Sequence, residues 1–95
     1  MLNELFEIIT DRKSNPQPGS YTNKLLDGSV DVVLQKVGEE AVEVILAAKG
    51  QGNQRLVEEV SDLFYHTLVL LARQGVTLAD IETELRRRHS APQSA

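Results

Sequence analysis

Apolar residues along this chain recur at intervals of three and four, the period of an α-helix, and nowhere alternate as a β-strand would. Leu2, Leu5, Phe6, Ile8 and Ile9 give a first stripe, predicting a helix over 2–12. The two prolines and the glycine of Ser14-Asn15-Pro16-Gln17-Pro18-Gly19-Ser20 forbid regular structure there. A short helix over 23–27 follows, with Ser20 or Thr22 as its cap and Gly28 as its stop. Ser29 caps a long helix that runs to about Lys49 and halts at Gly50. Asn53 caps a second over 54–74, halted by Gly75. Thr77, helped by Asp80 near the positive end of the helix dipole, opens the last, from Leu78 to about His89. The pattern predicts an all-α fold of four to five helices, with the two long ones forming an antiparallel hairpin.

Val30, Val33, Val37, Ala41, Val44 and Ala48 share one sector of the first long helix, and Leu56, Val60, Leu63, Thr67 and Leu70 one sector of the second. Phe64, Leu68 and Leu71 fall on a different sector, so the second long helix is apolar over a wider arc than one partner covers. Two hairpins dimerising into a four-helix-bundle-like core would bury that arc, and so would a further helix of the same chain.

Two charged lines run beside those sectors. Lys36, Glu40 and Glu43 stand at i, i+4 and i+7, as do Arg55, Glu59 and Asp62; one more turn reaches Ala47 and His66. Antiparallel pairing would bring Glu40, Glu43, Glu59 and Asp62 together at the edge of the seam. Four partly buried negative charges repel one another by on the order of several kcal/mol unless cations lie among them. An all-oxygen set suits a hard divalent ion, and Mg²⁺ is the simplest choice. Single carboxylate pairs at this spacing usually form a solvated helix face. Two pairs on adjacent helices, each beside an apolar seam, argue against that reading. A di-iron carboxylate bundle would need Glu-x-x-His pairs, and no Glu or Asp here precedes a histidine by three.

Composition narrows the function further. Ninety-five residues, 41% of them hydrophobic, suffice for one domain over 1–90, with a mobile tail over 91–95 after it. A net charge of −4 offers no basic field to nucleic acid, so an anionic substrate needs local cations or metal. Without cysteine there is no disulfide, zinc–thiolate site or thiol catalysis. No apolar run approaches the ~20 residues of a membrane span, and Met1-Leu2-Asn3-Glu4-Leu5 lacks the basic start of a signal peptide, so a soluble cytoplasmic protein is expected.

Ser20-Tyr21-Thr22-x-Lys24-Leu25-Leu26-x-Gly28, Lys36-Val37-Gly38-Glu39-Glu40-Ala41-x-Glu43, Ala47-Ala48-Lys49, Glu58-Glu59-x-x-Asp62-Leu63-x-Tyr65-His66 and Arg87-Arg88-His89 together resemble the phosphoribosyl-ATP pyrophosphatase (pyrophosphohydrolase) family of histidine biosynthesis. That family belongs to the all-α, MazG-like nucleotide pyrophosphohydrolases. Glu-Glu-x-x-Glu followed by Glu-x-x-Asp marks the superfamily; the Ser-Tyr-Thr and Lys-Val-Gly-Glu-Glu-Ala segments narrow it to this enzyme. The resemblance implies Mg²⁺-dependent hydrolysis of phosphoribosyl-ATP between its α and β phosphates, to phosphoribosyl-AMP and pyrophosphate, by a homodimer or higher homo-oligomer.

On this reading Glu40, Glu43, Glu59 and Asp62 hold Mg²⁺ against the triphosphate. Glu39, about 60° round the helix from Glu40, is either a water-orienting base, a further ligand or a solvated neighbour. Lys36 either contacts a phosphate or pairs with Glu40 one turn on. Thr22 and Lys24 follow the proline-rich loop and are candidates for the substrate's phosphates. Tyr21 either stacks on the adenine or packs on the helices. Arg12, Lys13 and Lys49 are surface cations, or touch the second ribose phosphate. His66 either supports a ligand carboxylate from behind or is a core-edge histidine. Arg86, Arg87 and Arg88 favour the dipole at a helix C-terminus. Two rivals share most of these features: a housecleaning pyrophosphatase of aberrant nucleoside triphosphates, which needs no Ser20–Lys24 segment, and a non-catalytic helical dimerisation module with a solvated acidic stripe.

Overall fold

The computed structural model describes residues 1–90, and the tail expected at 91–95 lies outside them. Five helices follow one another: α1 (Leu2–Ser14), α2 (Tyr21–Asp27), α3 (Val30–Gly50), α4 (Asn53–Gln74) and α5 (Leu78–Ser90). No strand occurs among the described residues. α3 and α4 form the expected hairpin and make the most extensive contact in the molecule.

Local chemistry sets most of the boundaries. The Ser20 hydroxyl accepts from the Asn23 amide at 3.2 Å and opens α2 two residues earlier than expected. Ser29 caps α3 in the same way, accepting from the Asp31 amide. At α5 the Thr77 and Asp80 side chains each take the other's backbone amide, at 2.9 and 3.1 Å. Gly75 ends α4 at φ +75°, with Val76 N–H reaching back to the Leu71 carbonyl at 2.9 Å. The start of α4 departs from expectation. Gly52, not Asn53, is its cap, at φ +87° and ψ 162°, a region only glycine enters without strain, so Asn53 already lies inside the helix.

The core lies at one end of the hairpin. Ile9 from α1, Leu25 from α2, Val33 from α3, and Leu68, Val69 and Ala72 from α4 form one buried cluster, flanked by Leu5, Phe6, Leu71 and Leu78. α1 therefore covers part of the second apolar sector of α4, at Leu68 and Leu71, and leaves Phe64 47% exposed. Polar cross-links fix the same end. Arg73 donates to the Leu25 and Leu26 carbonyls at 2.7 and 2.9 Å, and the Lys13 ammonium to the Ala72 carbonyl at 2.8 Å, each cation at the negative end of a helix. Buried Asn23 donates to the Arg12 carbonyl and accepts from the Gln17 amide, both at 2.8 Å, which ties the proline-rich loop to α1.

The far end of the hairpin is different. Val42, Ile45 and Leu46 on α3 and Val57 on α4 are exposed there; α5, which leaves from the core end at Leu78, buries no residue of its own. α3 is apolar around most of its circumference, a property of helices with neighbours on several sides.

Candidate active site

The interhelical seam lies closer to the charged lines than the apolar sectors suggest. Ala47, on the Lys36–Glu43 line, is buried, whereas Ala48 is exposed. On α4, Glu59 and His66 are both 6% exposed, while Leu56, Val60, Leu63, Thr67 and Leu70 are only half-buried. Both helices are apolar over wide arcs, so either edge of each arc could be buried. Packing of α1 and α2 against Val33, Val69 and Ala72 fixes the rotation.

That rotation brings carboxylates together. One oxygen each from Glu40, Glu59 and Asp62 lie within 4.8 Å of one another, in a group able to hold a metal ion. At this separation each charged pair repels by roughly 3 kcal/mol at an effective dielectric of about 20. Burial raises the Glu40 carboxyl above its ordinary value, with the charge of Asp62 next and Glu59 adding to it; His66 acts in the opposite direction. Arg55 compensates part of the charge, donating to Glu59 at 2.6 Å and to Glu58 at 2.5 Å. Crowded carboxylate oxygens that grade from buried Glu59 through half-buried Glu40 to exposed Asp62, with one arginine beside them, are surroundings that suit a hard divalent ion reached from solvent. Glu43, half-buried one turn along α3, stands outside the gathered three, and Glu39 is exposed.

His66 sits behind this group. Its Nδ1 donates to the Asp62 backbone carbonyl at 2.9 Å and lies 3.9 Å from the Glu40 carboxylate. Its Nε2 bonds the Tyr21 hydroxyl at 3.0 Å. Tyr21 thus packs on α4 through its hydroxyl, an edge-on contact with His66 and an offset stack on Tyr65, yet keeps nearly half its surface open. The Thr22 hydroxyl is bonded to that of Tyr65, a residue that stands in the family-like motif with no role attached to it. Among the described residues Lys24, Lys36 and Lys49 form no ion pair with a carboxylate, while Arg12 pairs with Asp11 at 3.7 Å. Arg86, Arg87 and Arg88 are all engaged by Glu82 or Glu84 of their own helix. Lys24, Lys36 and Lys49, with the loosely paired Arg12, are therefore the cations left for an anionic ligand. Lys24 lines a shallow open pocket with Pro16, Pro18 and Gly28.

The raised Glu40 carboxyl carries a signed pH dependence. Its neutral form suits the metal-free fold, so its contribution to stability is full below its ordinary value and is lost as pH rises through the elevated one. Thermal melts in a chelator from about pH 4 to 8 should show that loss in the wild-type protein and not in Glu40→Gln, with added Mg²⁺ offsetting it at the high end. Equal pH profiles for the two proteins would contradict this assignment.

Comparison with known proteins gives the family. Residues 2–89 match the family model described as phosphoribosyl-ATP pyrophosphohydrolase. The chain is 57% identical over 88 residues to a phosphoribosyl-ATP pyrophosphatase of Listeria monocytogenes, covering 93% of this chain and 84% of that protein. It is 48% identical over 89 residues to one from Clostridium acetobutylicum, covering 94% and 81%. It is also 52% identical to the histidine biosynthesis bifunctional protein HisIE of Caldanaerobacter subterraneus, again over 94% of this chain but only 43% of the relative. With 88 of its residues inside that family model and the doubled acidic motif assembled across two helices, the chain belongs to the phosphoribosyl-ATP pyrophosphohydrolase family of enzymes.

Proposed function

We propose that this protein hydrolyses phosphoribosyl-ATP between the α and β phosphates, releasing pyrophosphate and phosphoribosyl-AMP, with Mg²⁺ as its cofactor. The observation that carries this reading is the convergence of Glu40, Glu59 and Asp62 from two helices of a chain in this family. Glu40, Glu59 and Asp62 would hold the ion, with Glu43, half-buried one turn along α3, as a further carboxylate beside them. Bound there, Mg²⁺ supplies positive charge that neutralises the polyphosphate and the departing pyrophosphate.

The chain's own side chains do the rest. Lys36, half-buried one turn before Glu40, and Lys24, at the pocket below the proline-rich loop, bind phosphate oxygens. The open face of Tyr21 takes the adenine. Lys49 and Arg12 are the cations for the second ribose phosphate. Glu39, exposed beside the cluster, orients the attacking water and accepts its proton as the phosphorus–oxygen bond to the leaving group breaks. His66 holds the Asp62 backbone from behind.

The exposed Val42, Ile45, Leu46, Val57 and Phe64 support a homodimer, in which two hairpins would pair through their far ends. The housecleaning rival shares the carboxylates, so substrate choice decides between them. Phosphoribosyl-ATP competed against a panel of deoxynucleoside triphosphates should be turned over in strong preference. Equal or better turnover of the plain triphosphates would overturn the assignment.

A further inference from the structure

We infer that Tyr65 is a positioning residue for substrate binding: it pins the first turn of α2 to α4, so that Tyr21 and its neighbours are presented beside the carboxylate group. The inference rests on the functional reading above. Its basis is a pair of parallel tethers. The Tyr65 hydroxyl is bonded to that of Thr22, and one residue away on each helix His66 is bonded to Tyr21 at 3.0 Å. The Tyr65 ring also stacks on Tyr21, with centroids 6.3 Å apart and planes 22° from parallel, and meets the His66 ring edge-on at 5.1 Å. His66 in turn bonds the Asp62 backbone, so the substrate segment and the carboxylates share one connected frame.

The tether has work to do because α2 is short. Seven residues make too few backbone hydrogen bonds to hold a helix by themselves, and its N-terminus follows a loop of two prolines and a glycine. Arg73 secures the other end of α2 at the Leu25 and Leu26 carbonyls and Asn23 bonds α1 and the loop, which leaves Thr22 and Tyr21 as the polar anchors of the first turn to α4. The Tyr65 hydroxyl is engaged by Thr22, and its ring by Tyr21 and His66. Its effect on turnover must therefore pass through the placement of α2.

Tyr65→Phe removes the hydroxyl and keeps the ring, and Thr22→Val removes the other partner at constant shape. Each should raise KM for phosphoribosyl-ATP about five- to tenfold with kcat within about twofold. The double variant should be no worse than either single one, and Thr22→Ser should restore the wild-type value. Amide hydrogen exchange across α2 should quicken in both single variants while the Mg²⁺-induced rise in melting temperature is unchanged. Unaltered α2 exchange, or faster exchange with an unaltered KM, would overturn the proposal. Absence of any turnover by the wild-type protein sinks the functional reading instead, and the exchange data keep the two failures apart.

Discussion

Glu59→Gln should lower kcat/KM for phosphoribosyl-ATP by about 10³-fold, or ~4 kcal/mol of transition-state stabilisation, while leaving the metal-free protein as stable as the wild type or more so. The two halves of this expectation come from the same geometry. Glu59 is buried and shares the tight oxygen cluster with Glu40 and Asp62, so its charge serves a bound cation and burdens the fold without one. Glutamine keeps the shape and the oxygen that accepts from Arg55, and Arg55 retains its bond to Glu58. Steady-state kinetics with melts in a chelator and in Mg²⁺ would check both halves. The variant should lose most of the Mg²⁺-induced stabilisation. A structural carboxylate would behave in the opposite way, destabilising the protein on removal and sparing kcat, and that outcome would contradict the site.

Ile9→Ala is expected to have the largest effect on the fold itself, about 3 kcal/mol. Ile9 is 1% exposed and joins α1 to the cluster formed by Leu25, Val33, Leu68, Val69 and Ala72. Truncation removes three carbons from a site walled by three other helices, which leaves a cavity that cannot collapse without moving α1. For a domain of this size the loss corresponds to a fall in melting temperature of roughly 12–24 °C. Chemical denaturation should show a lower midpoint at constant slope. Mg²⁺ stabilisation should persist below the new midpoint, because the carboxylates sit along the hairpin and outside that cluster. A melting temperature within about 3 °C of the wild type would mean that α1 does not carry the core.

These contrasts explain what the sequence made legible. Helical spacing revealed all five helices, and the caps at Ser20, Ser29 and Thr77 were readable because each places a hydroxyl just ahead of the first turn. The doubled acidic motif named Glu40, Glu43, Glu59 and Asp62 from spacing alone; three of them gather, while Glu43, one turn further along α3, stands outside the group. The rotation of each helix about its axis was not legible. Both long helices are apolar over wide arcs, and packing by α1 and α2 buries Glu59 and His66 in preference to Leu56 and Val60. Asn53 was mistaken for a cap because its side chain suits one; the positive φ of Gly52 cannot be inferred from residue type. Tyr65, Asn23 and Arg73 act through partners more than ten residues away and have no periodic signature.

Purified protein incubated with phosphoribosyl-ATP, with pyrophosphate release followed across a Mg²⁺ titration and in chelator, tests the central claim most directly. Release should rise to saturation with Mg²⁺, stop in chelator and resume on readdition of the ion. Release that proceeds undiminished in chelator, or none at any Mg²⁺ concentration, would contradict a divalent-ion centre at Glu40, Glu59 and Asp62.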